Sequence, residues 1–247
     1  MTQKNESIKG EIKQFGILSI LFYHLLPGIP ILLFAILFSH PIFGIGLPIF
    51  PSLMLSILFG LIPVQLGLLA FAAKREGKKI KELIPYTRKM PVVKLLVWSF
   101  LLLLFSRITF IWLSDIEASF WTIFDRIPTW FRLDRFSFKS CPPGLLWLTI
   151  GLGFLLNGLL GPIVEELYFR GFLLPRMNIL GKWAPFINTV LFSAYHFFSP
   201  WQNITRIIAL TPYVYAVWAK KNIFIGIIVH CTVNTIGMIM TLITFVS

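Results

Sequence analysis

The chain has 247 residues, of which 57% are hydrophobic and 13% charged, and this composition excludes a soluble domain of that length. The formal net charge of +12 comes from lysines and arginines that lie mostly between apolar runs, where they flank membrane spans and form no nucleic-acid-binding surface. Cys141 and Cys231 are too few for a disulfide framework and are not spaced as a metal site. We therefore predict a polytopic protein of the lipid bilayer with no nucleic-acid partner.

Uninterrupted apolar runs predict an all-α transmembrane helix bundle, because a helix crosses the hydrocarbon core with about 20 apolar residues. The runs cover residues 15–38, 52–73, 92–113, 144–175, 183–198, 204–219 and 223–246. The first run is longer than a signal-peptide core and lacks a small-residue cleavage site, so it is interpreted as a retained span. Pro27 and Pro30 predict a kink in this run, and Gly161-Pro162 predicts a bend in the fourth. About seven spans are expected, within a range of six to eight.

The distribution of lysine and arginine predicts the orientation of these spans. With seven spans, the cationic segments 74–94, 170–182 and 220–221 fall on the same side of the membrane. The positive-inside rule makes this side cytoplasmic and places the N-terminus inside. The lysine-rich flanks and the lack of an organelle address favour a multi-pass protein of a bacterial plasma membrane.

Residues 114–143 form a longer connection that mixes acidic, basic and aromatic side chains. This mixture is typical of a segment lying in the membrane interface, either as an aromatic belt or as a gate for substrate. No internal repeat or low-complexity linker divides the chain, so residues 1–247 are interpreted as a single transmembrane domain.

Two adjacent carboxylates stand out in the C-terminal half, since Glu165 and Glu166 are the only acidic residues after Asp134. Ionisable groups at bilayer depth are costly and usually face a protein interior or a water-filled cavity. Glu166 and Arg170 are four residues apart and share a helix face, which predicts an ion pair and leaves Glu165 free to accept a proton. The alternative is a purely structural cluster of buried ion pairs.

Two of the four histidines, His196 and His230, lie within later apolar runs. At a spacing of four, His230 shares a helix face with Asn234. Depth in the membrane can be counted from the predicted cytoplasmic end of each helix at 1.5 Å per residue. This places Glu165 roughly 15 Å, His196 roughly 21 Å and His230 roughly 12 Å deep. A broken fourth helix or a tilted fifth helix is needed to bring them together. His24 and His40 are interpreted as a packing residue and a loop residue.

Three short motifs occur in order on successive apolar runs: Glu165-Glu166-x-x-x-Arg170, Phe192-x-x-x-His196 and His230-x-x-x-Asn234. Together they resemble, without substitution, the three motifs of the CPBP family, the CAAX-prenyl protease and bacteriocin-processing (Abi) family of intramembrane endopeptidases. The resemblance covers roughly residues 145–244. It implies a catalytic core over residues 144–247 and a variable N-terminal part, with the interfacial loop, over residues 1–143.

Peptide hydrolysis requires a nucleophilic water, a stabilised oxyanion and a proton for the leaving amine. Glu165 can act as general base and then acid, with His196 orienting the same water, while His230 and Asn234 donate to the oxyanion. Alternatively Glu165, His196 and His230 ligate Zn²⁺ and lower the pKa of its bound water. The family is commonly labelled metalloprotease, and both the metal-free and the zinc version stay open.

The resemblance implies a hydrolase, a protease that cleaves a membrane-associated peptide or protein near the cytoplasmic membrane face. Relatives process CAAX substrates or are associated with bacteriocin maturation and self-immunity. Two other classes compete with this hypothesis: a non-proteolytic immunity or peptide-binding protein, and a transporter with a proton pathway of buried Glu and His. The oligomeric state is left open.

Overall fold

The computed structural model of the chain describes residues 12–123, 126–131 and 141–246. Helices dominate these ranges, which contain no β-strand and only an isolated bridge between Thr87 and Asn222. The predicted all-helical fold class is therefore confirmed.

The first six helices belong to the N-terminal half. They are α1 (Ile17–Leu25), α2 (Gly28–Ser39), α3 (Ile49–Ser56), α4 (Ile62–Glu76), α5 (Val92–Trp112) and α6 (Ser114–Ile123). A π-helical turn over Ile57–Leu61 joins α3 to α4 without a break.

The described part of the C-terminal half contains five further helices. They are α7 (Pro143–Leu155), α8 (Gly161–Glu165), α9 (Ala184–Ala194), α10 (Asn203–Lys220) and α11 (Ile223–Val246). Two π-helical segments, Leu156–Leu160 and Glu166–Leu173, enclose the short helix α8. Two 3₁₀ segments, Leu174–Arg176 and Asn178–Trp183, lead from there to α9.

Five stretches within the described ranges are long and apolar enough to cross a membrane. They are Ile17–Ser39, Ile49–Glu76, Val92–Trp112, Pro143–Arg176 and Ile223–Ile243. The predicted fifth and sixth runs form α9 and α10 but are not among them. Helix α9 has only 11 residues, about half the length that a membrane crossing needs. The count of seven spans is therefore not confirmed, and the inside position of the N-terminus stays a prediction.

The bend predicted in the first run is present, because α1 ends at Leu25 and α2 begins at Gly28, beyond Pro27. Gly28 lies so close to the chain after α9 that a Cβ atom there would collide with the carbonyl of Tyr195 and the ring of Phe197. A glycine at this position allows the first helices to pack against the segment that carries His196.

The predicted cationic segments meet at one end of the bundle. Arg176 donates to the carbonyl of Leu83 at 3.1 Å and forms an ion pair with Glu76 at 3.3 Å. The backbone N–H of Ile223 donates to the carbonyl of Tyr86 at 2.8 Å. These contacts bring the segments to one end of the bundle, and their position on one side of the membrane stays a prediction. We call this end of the bundle the cationic end.

Part of the connection predicted to lie in the interface is helical, since it contains α6 and a short 3₁₀ segment, Thr129–Phe131. His40 lies in the loop after α2, and its ring contacts that of Trp130. Residues 124–125 and 132–140 of this connection, which include Asp125 and Asp134, lie outside the described residues. The interfacial assignment stays a prediction.

Candidate active site

A cavity of about 400 Å³ opens among the helices, and the six predicted site residues gather at or behind its wall. Glu165, His196, His230 and Asn234 all line it. The opposite wall is apolar and comes from α2, α3 and the π turn that follows α3. Its residues include Ile31, Phe50, Leu53, Met54, Ile57 and Leu61.

Glu165 is the last residue of α8, between two π-helical segments. Such segments add a residue to a turn, often at functional sites. The Glu165 side chain faces the cavity although the residue is only 4% exposed, and its Oε1 accepts a hydrogen bond from the hydroxyl of Tyr195. A buried carboxylate that faces a cavity and carries a single hydrogen bond is available for proton transfer.

His196 lies just beyond the end of α9, and not inside a helix as the apolar run predicted. Pro200 follows within a few residues and cannot continue a helix. The Nδ1 atom of His196 lies 2.8 Å from the carbonyl oxygen of Phe192 and therefore carries a proton, because a carbonyl only accepts. Its Nε2 then presents a lone pair towards Oε1 of Glu165, 3.9 Å away.

His230 is held in the same way, on α11, by a carboxylate instead of a carbonyl. Its Nδ1 lies 2.9 Å from Oε1 of Glu166, and its Nε2 lies 3.7 Å from Oε2 of Glu165. Both imidazoles thus direct Nε2 at Glu165. The distances of 3.9 and 3.7 Å between these nitrogens and the carboxylate leave room for one bridging water.

Glu166 is fully buried behind His230 and does not line the cavity. Its Oε1 also accepts a hydrogen bond from Tyr213 at 3.0 Å and lies 3.4 Å from Nη1 of Arg170. The ion pair predicted from the spacing of four is present. The guanidinium of Arg170 lies 3.9 Å from the ring centre of Phe192, and that ring contacts both histidines. Arg170, Glu166 and Phe192 therefore position the two imidazoles.

Asn234 lies one turn after His230 on α11, as the spacing predicted. Its Nδ2 donates to the carbonyl of Asn157 at 3.0 Å. The π-helical segment Leu156–Leu160 contains Asn157 and supplies this acceptor. An amide nitrogen has two hydrogens, so one N–H of Asn234 is left for a ligand in the cavity.

The predicted depths converge although the fourth run is not broken. The run stays one continuous helical stretch, Pro143–Arg176, in which two π-helical segments alternate with α7 and α8. His196 lies beyond the end of a short α9, and His230 approaches from α11. The side chains that were predicted about 9 Å apart in depth therefore share one cavity.

The side chains of Glu165, His196 and His230 carry donor atoms of the types that bind zinc. Two imidazole nitrogens and one carboxylate are zinc-type ligands in kind. However, no three His, Cys, Asp or Glu side chains of the described residues form a group that could hold a metal. In addition, Oε1 of Glu165 is already engaged by Tyr195. Zinc ligation by Glu165, His196 and His230 stays a prediction, and no step of the chemistry below passes through a metal.

Several residues at the site were missed by the sequence analysis. Tyr195 and Tyr213 are fully buried and each donates to one of the two glutamates. Nothing in a tyrosine within an apolar run predicts such a contact. Arg107 and Arg206 also line the cavity. These two could have been found, because a cation inside a predicted span meets the same criterion that singled out Glu165.

His24 was interpreted as a packing residue, and the structure places it behind the site. It is fully buried, its Nδ1 lies 2.7 Å from the carbonyl of Ile20, and its Nε2 lies 3.0 Å from Nδ2 of Asn188. The same Asn188 nitrogen donates to the carbonyl of Phe169. This network ties α1 and α9 to the segment after Glu166.

Gly226→Ala is expected to lower activity by about tenfold or more, because a Cβ atom at Gly226 would collide with Oε2 of Glu166. The displaced carboxylate would no longer hold Nδ1 of His230. Gly67→Ala is the matched control, since the space around Gly67 is open and alanine favours a helix. Initial rates and thermal unfolding of both variants test the expectation. Equal rates for the two would contradict it.

The fold and the site define a class: an all-helical membrane protein whose cavity gathers a glutamate from α8, a histidine from the segment after α9, and a histidine and an asparagine from α11. Residues 147–236 match the model of a family described as type II CAAX prenyl endopeptidase Rce1-like. The match covers less than half of the chain, and over these residues it confirms the resemblance to the CPBP family. All seven motif residues lie within the matched range. Comparisons with curated proteins and with solved structures found no match.

Proposed function

We propose that the chain is an intramembrane endopeptidase that hydrolyses a peptide bond with a water activated by Glu165. The observation that carries the proposal is the convergence of two imidazole Nε2 atoms on this carboxylate, at 3.9 and 3.7 Å, inside one cavity. The match to an endopeptidase family agrees with it.

The first step is attack of water on the substrate carbonyl carbon. Glu165 takes one proton from the water, and Nε2 of His196 accepts a hydrogen bond that fixes the orientation of the water. The new C–O bond forms as the carbonyl π electrons move to oxygen, which gives a tetrahedral oxyanion. The free N–H of Asn234 donates to this oxyanion. A proton on Nε2 of His230 would supply a second donor to the oxyanion, while Glu166 holds the imidazole through Nδ1 at 2.9 Å.

The second step is collapse of the tetrahedral species. The C–N bond breaks, and Glu165 returns its proton to the leaving amine. The carboxylate of Glu165 is thereby regenerated, so no other co-reactant is needed. Glu166 and Arg170 take no proton in this scheme, because they lie outside the cavity and act by positioning His230.

The proposed substrate is a membrane-associated peptide with apolar side chains, which the wall formed by Ile31, Phe50 and Leu53 would accommodate. The family description suggests a CAAX-type C-terminus, a cysteine followed by two aliphatic residues and one further residue. Bacteriocin maturation and self-immunity in a bacterial plasma membrane are the alternative settings for the same chemistry.

The test is product identification by mass spectrometry. The purified protein is incubated with a prenylated peptide ending in Cys-Val-Ile-Ala. The cleavage rate of the unaltered protein, the parent, is compared with that of His196→Ala. We expect two fragments whose masses sum to that of the intact peptide plus one water, and a loss of rate of about 100-fold or more in the variant. His40→Ala, outside the cavity, is the control. Peptide bound but never cut by the parent would favour a peptide-binding protein instead.

Zinc is tested separately by elemental analysis and by chelation. We expect the purified protein to contain no stoichiometric zinc and to keep its activity with a chelator, because the described side chains form no metal-binding group. Stoichiometric zinc together with chelator-sensitive cleavage would replace the scheme above by the metal-assisted version, with Glu165, His196 and His230 as ligands.

A further inference from the structure

Two arginines share the cavity with Glu165. Arg107 lies near the end of α5, and Arg206 lies near the start of α10. The helices touch at this level, because Oγ of Ser106 donates to the carbonyl of Ala209 at 2.8 Å. Both positions are remote in sequence from Val92 and Lys220, the ends of these helices nearest the cationic end. The arginines therefore lie towards the opposite end of the cavity.

Arg206 is a buried cation without an ion pair among the described residues. It is 7% exposed, and its guanidinium donates to neutral oxygens, including those of Ser199 at 2.8 Å and Asn203 at 3.1 Å. The nearest connection to an acid is indirect, since Gln202 accepts from Arg206 and donates to Glu117. Its neighbours thus fix the guanidinium in place without neutralising it.

Arg107 has even fewer partners. It is half-buried, lines the same cavity, and forms no hydrogen bond or ion pair with the described residues. An arginine inside an apolar span needs a counter-charge or water to offset its desolvation. Among the acidic side chains of the described residues, Glu165 alone lines this cavity, and it is engaged with Tyr195 and the histidines.

We propose that Arg107 and Arg206 form an anion subsite that binds a carboxylate of the substrate, so that peptides with a free C-terminal carboxylate are preferred. A guanidinium binds a carboxylate through two parallel hydrogen bonds, and arginine suits buried pairs of this kind. The apolar wall would hold the aliphatic side chains that precede the carboxylate, while Glu165 faces the scissile bond. This inference rests on the proposed peptidase function and names the class of its substrate.

The test compares one prenylated peptide, ending in Cys-Val-Ile-Ala, as free acid and as C-terminal amide. The parent in phosphatidylcholine nanodiscs is expected to cleave the acid about 10- to 100-fold more efficiently, by kcat/KM. Arg107→Gln should reduce this ratio to within about threefold. Arg88→Gln, an exposed change outside the cavity, should keep it. Arg206→Lys keeps the positive charge but loses the planar guanidinium with its paired N–H donors, so it should give an acid-to-amide ratio between those of the parent and Arg107→Gln.

The results that would overturn the anion subsite differ from those that would overturn the peptidase function. If the parent cleaves acid and amide equally, or if Arg107→Gln keeps the parent's ratio, the subsite is overturned while the peptidase function stands. If the parent cleaves neither peptide, the peptidase function fails. Binding of the labelled acid and amide to Glu165→Gln then decides the subsite, because tighter binding of the acid supports it and equal binding overturns it.

A phosphate of an anionic lipid is the other source of an anion for these arginines. Parallel assays in phosphatidylglycerol and phosphatidylcholine nanodiscs separate the two sources. We expect the acid-to-amide ratio of the parent to be the same in both lipids within about threefold. A ratio of one in both lipids, together with an effect of Arg107→Gln only on the response to phosphatidylglycerol, would assign the arginines to lipid and overturn the carboxylate subsite.

Discussion

Glu165→Gln is expected to lower the rate of peptide cleavage by roughly 10²- to 10⁴-fold while the protein stays folded. Glutamine cannot take the proton of the attacking water or return it to the leaving amine. It can still accept the hydrogen bond from Tyr195, and it matches glutamate in size. Single-turnover cleavage, with thermal unfolding in the same detergent, measures the two effects separately.

Glu166→Gln is the matched comparison, because it makes the same chemical change at the next residue. Glu166 is fully buried against Arg170 and His230 and does not line the cavity. Loss of its charge is expected to lower stability as well as activity, since Arg170 would lose its counter-charge. A Glu166→Gln protein as stable as the parent and as inactive as Glu165→Gln would contradict the division of roles between the two carboxylates.

The helices of this chain could be predicted from run length, and their bends from proline. The break at Pro27 is present, whereas the helix continues through Gly161-Pro162 with π-helical segments on both sides of α8, so the bend there stays a prediction. Whether a run crosses the membrane was harder to predict, because hydropathy alone does not show where a helix stops. The 11-residue α9 looked like a full span, since the apolar sequence continues through His196 although the helix does not.

The motif residues could be predicted because lone charges and histidines in apolar sequence are rare. The spacing of four was enough to pair Glu166 with Arg170. The partners of these residues could not be predicted, because Tyr195 and Tyr213 come from other segments and meet the glutamates only after the helices pack. The π-helical segments on both sides of Glu165 were also missed, since no local residue pattern specifies an i to i+5 hydrogen bond.

Arg170→Ala is expected to lower the free energy of unfolding by about 3 to 5 kcal/mol. The arginine is fully buried, and the change leaves the carboxylate of Glu166 without its cation. It also removes the guanidinium from the face of Phe192 and opens a space beside both imidazoles. Unfolding by a denaturing detergent in mixed micelles measures the loss. Activity should fall as well, because His230 depends on Glu166 for its orientation.

A double-mutant cycle separates the charge from the lost volume. If the ion pair dominates, Glu166→Gln together with Arg170→Ala should be less destabilised than the sum of the two single changes, since no unpaired charge is left in the double variant. A coupling energy of about 1 to 3 kcal/mol is expected for groups in direct contact. Strict additivity would show instead that Arg170 stabilises the fold by packing against Phe192 and Tyr213. In that case Tyr213 and Arg170 would hold His230 through the shape of the aromatic cluster, and the carboxylate of Glu166 would act chiefly through its hydrogen bond to Nδ1 of His230.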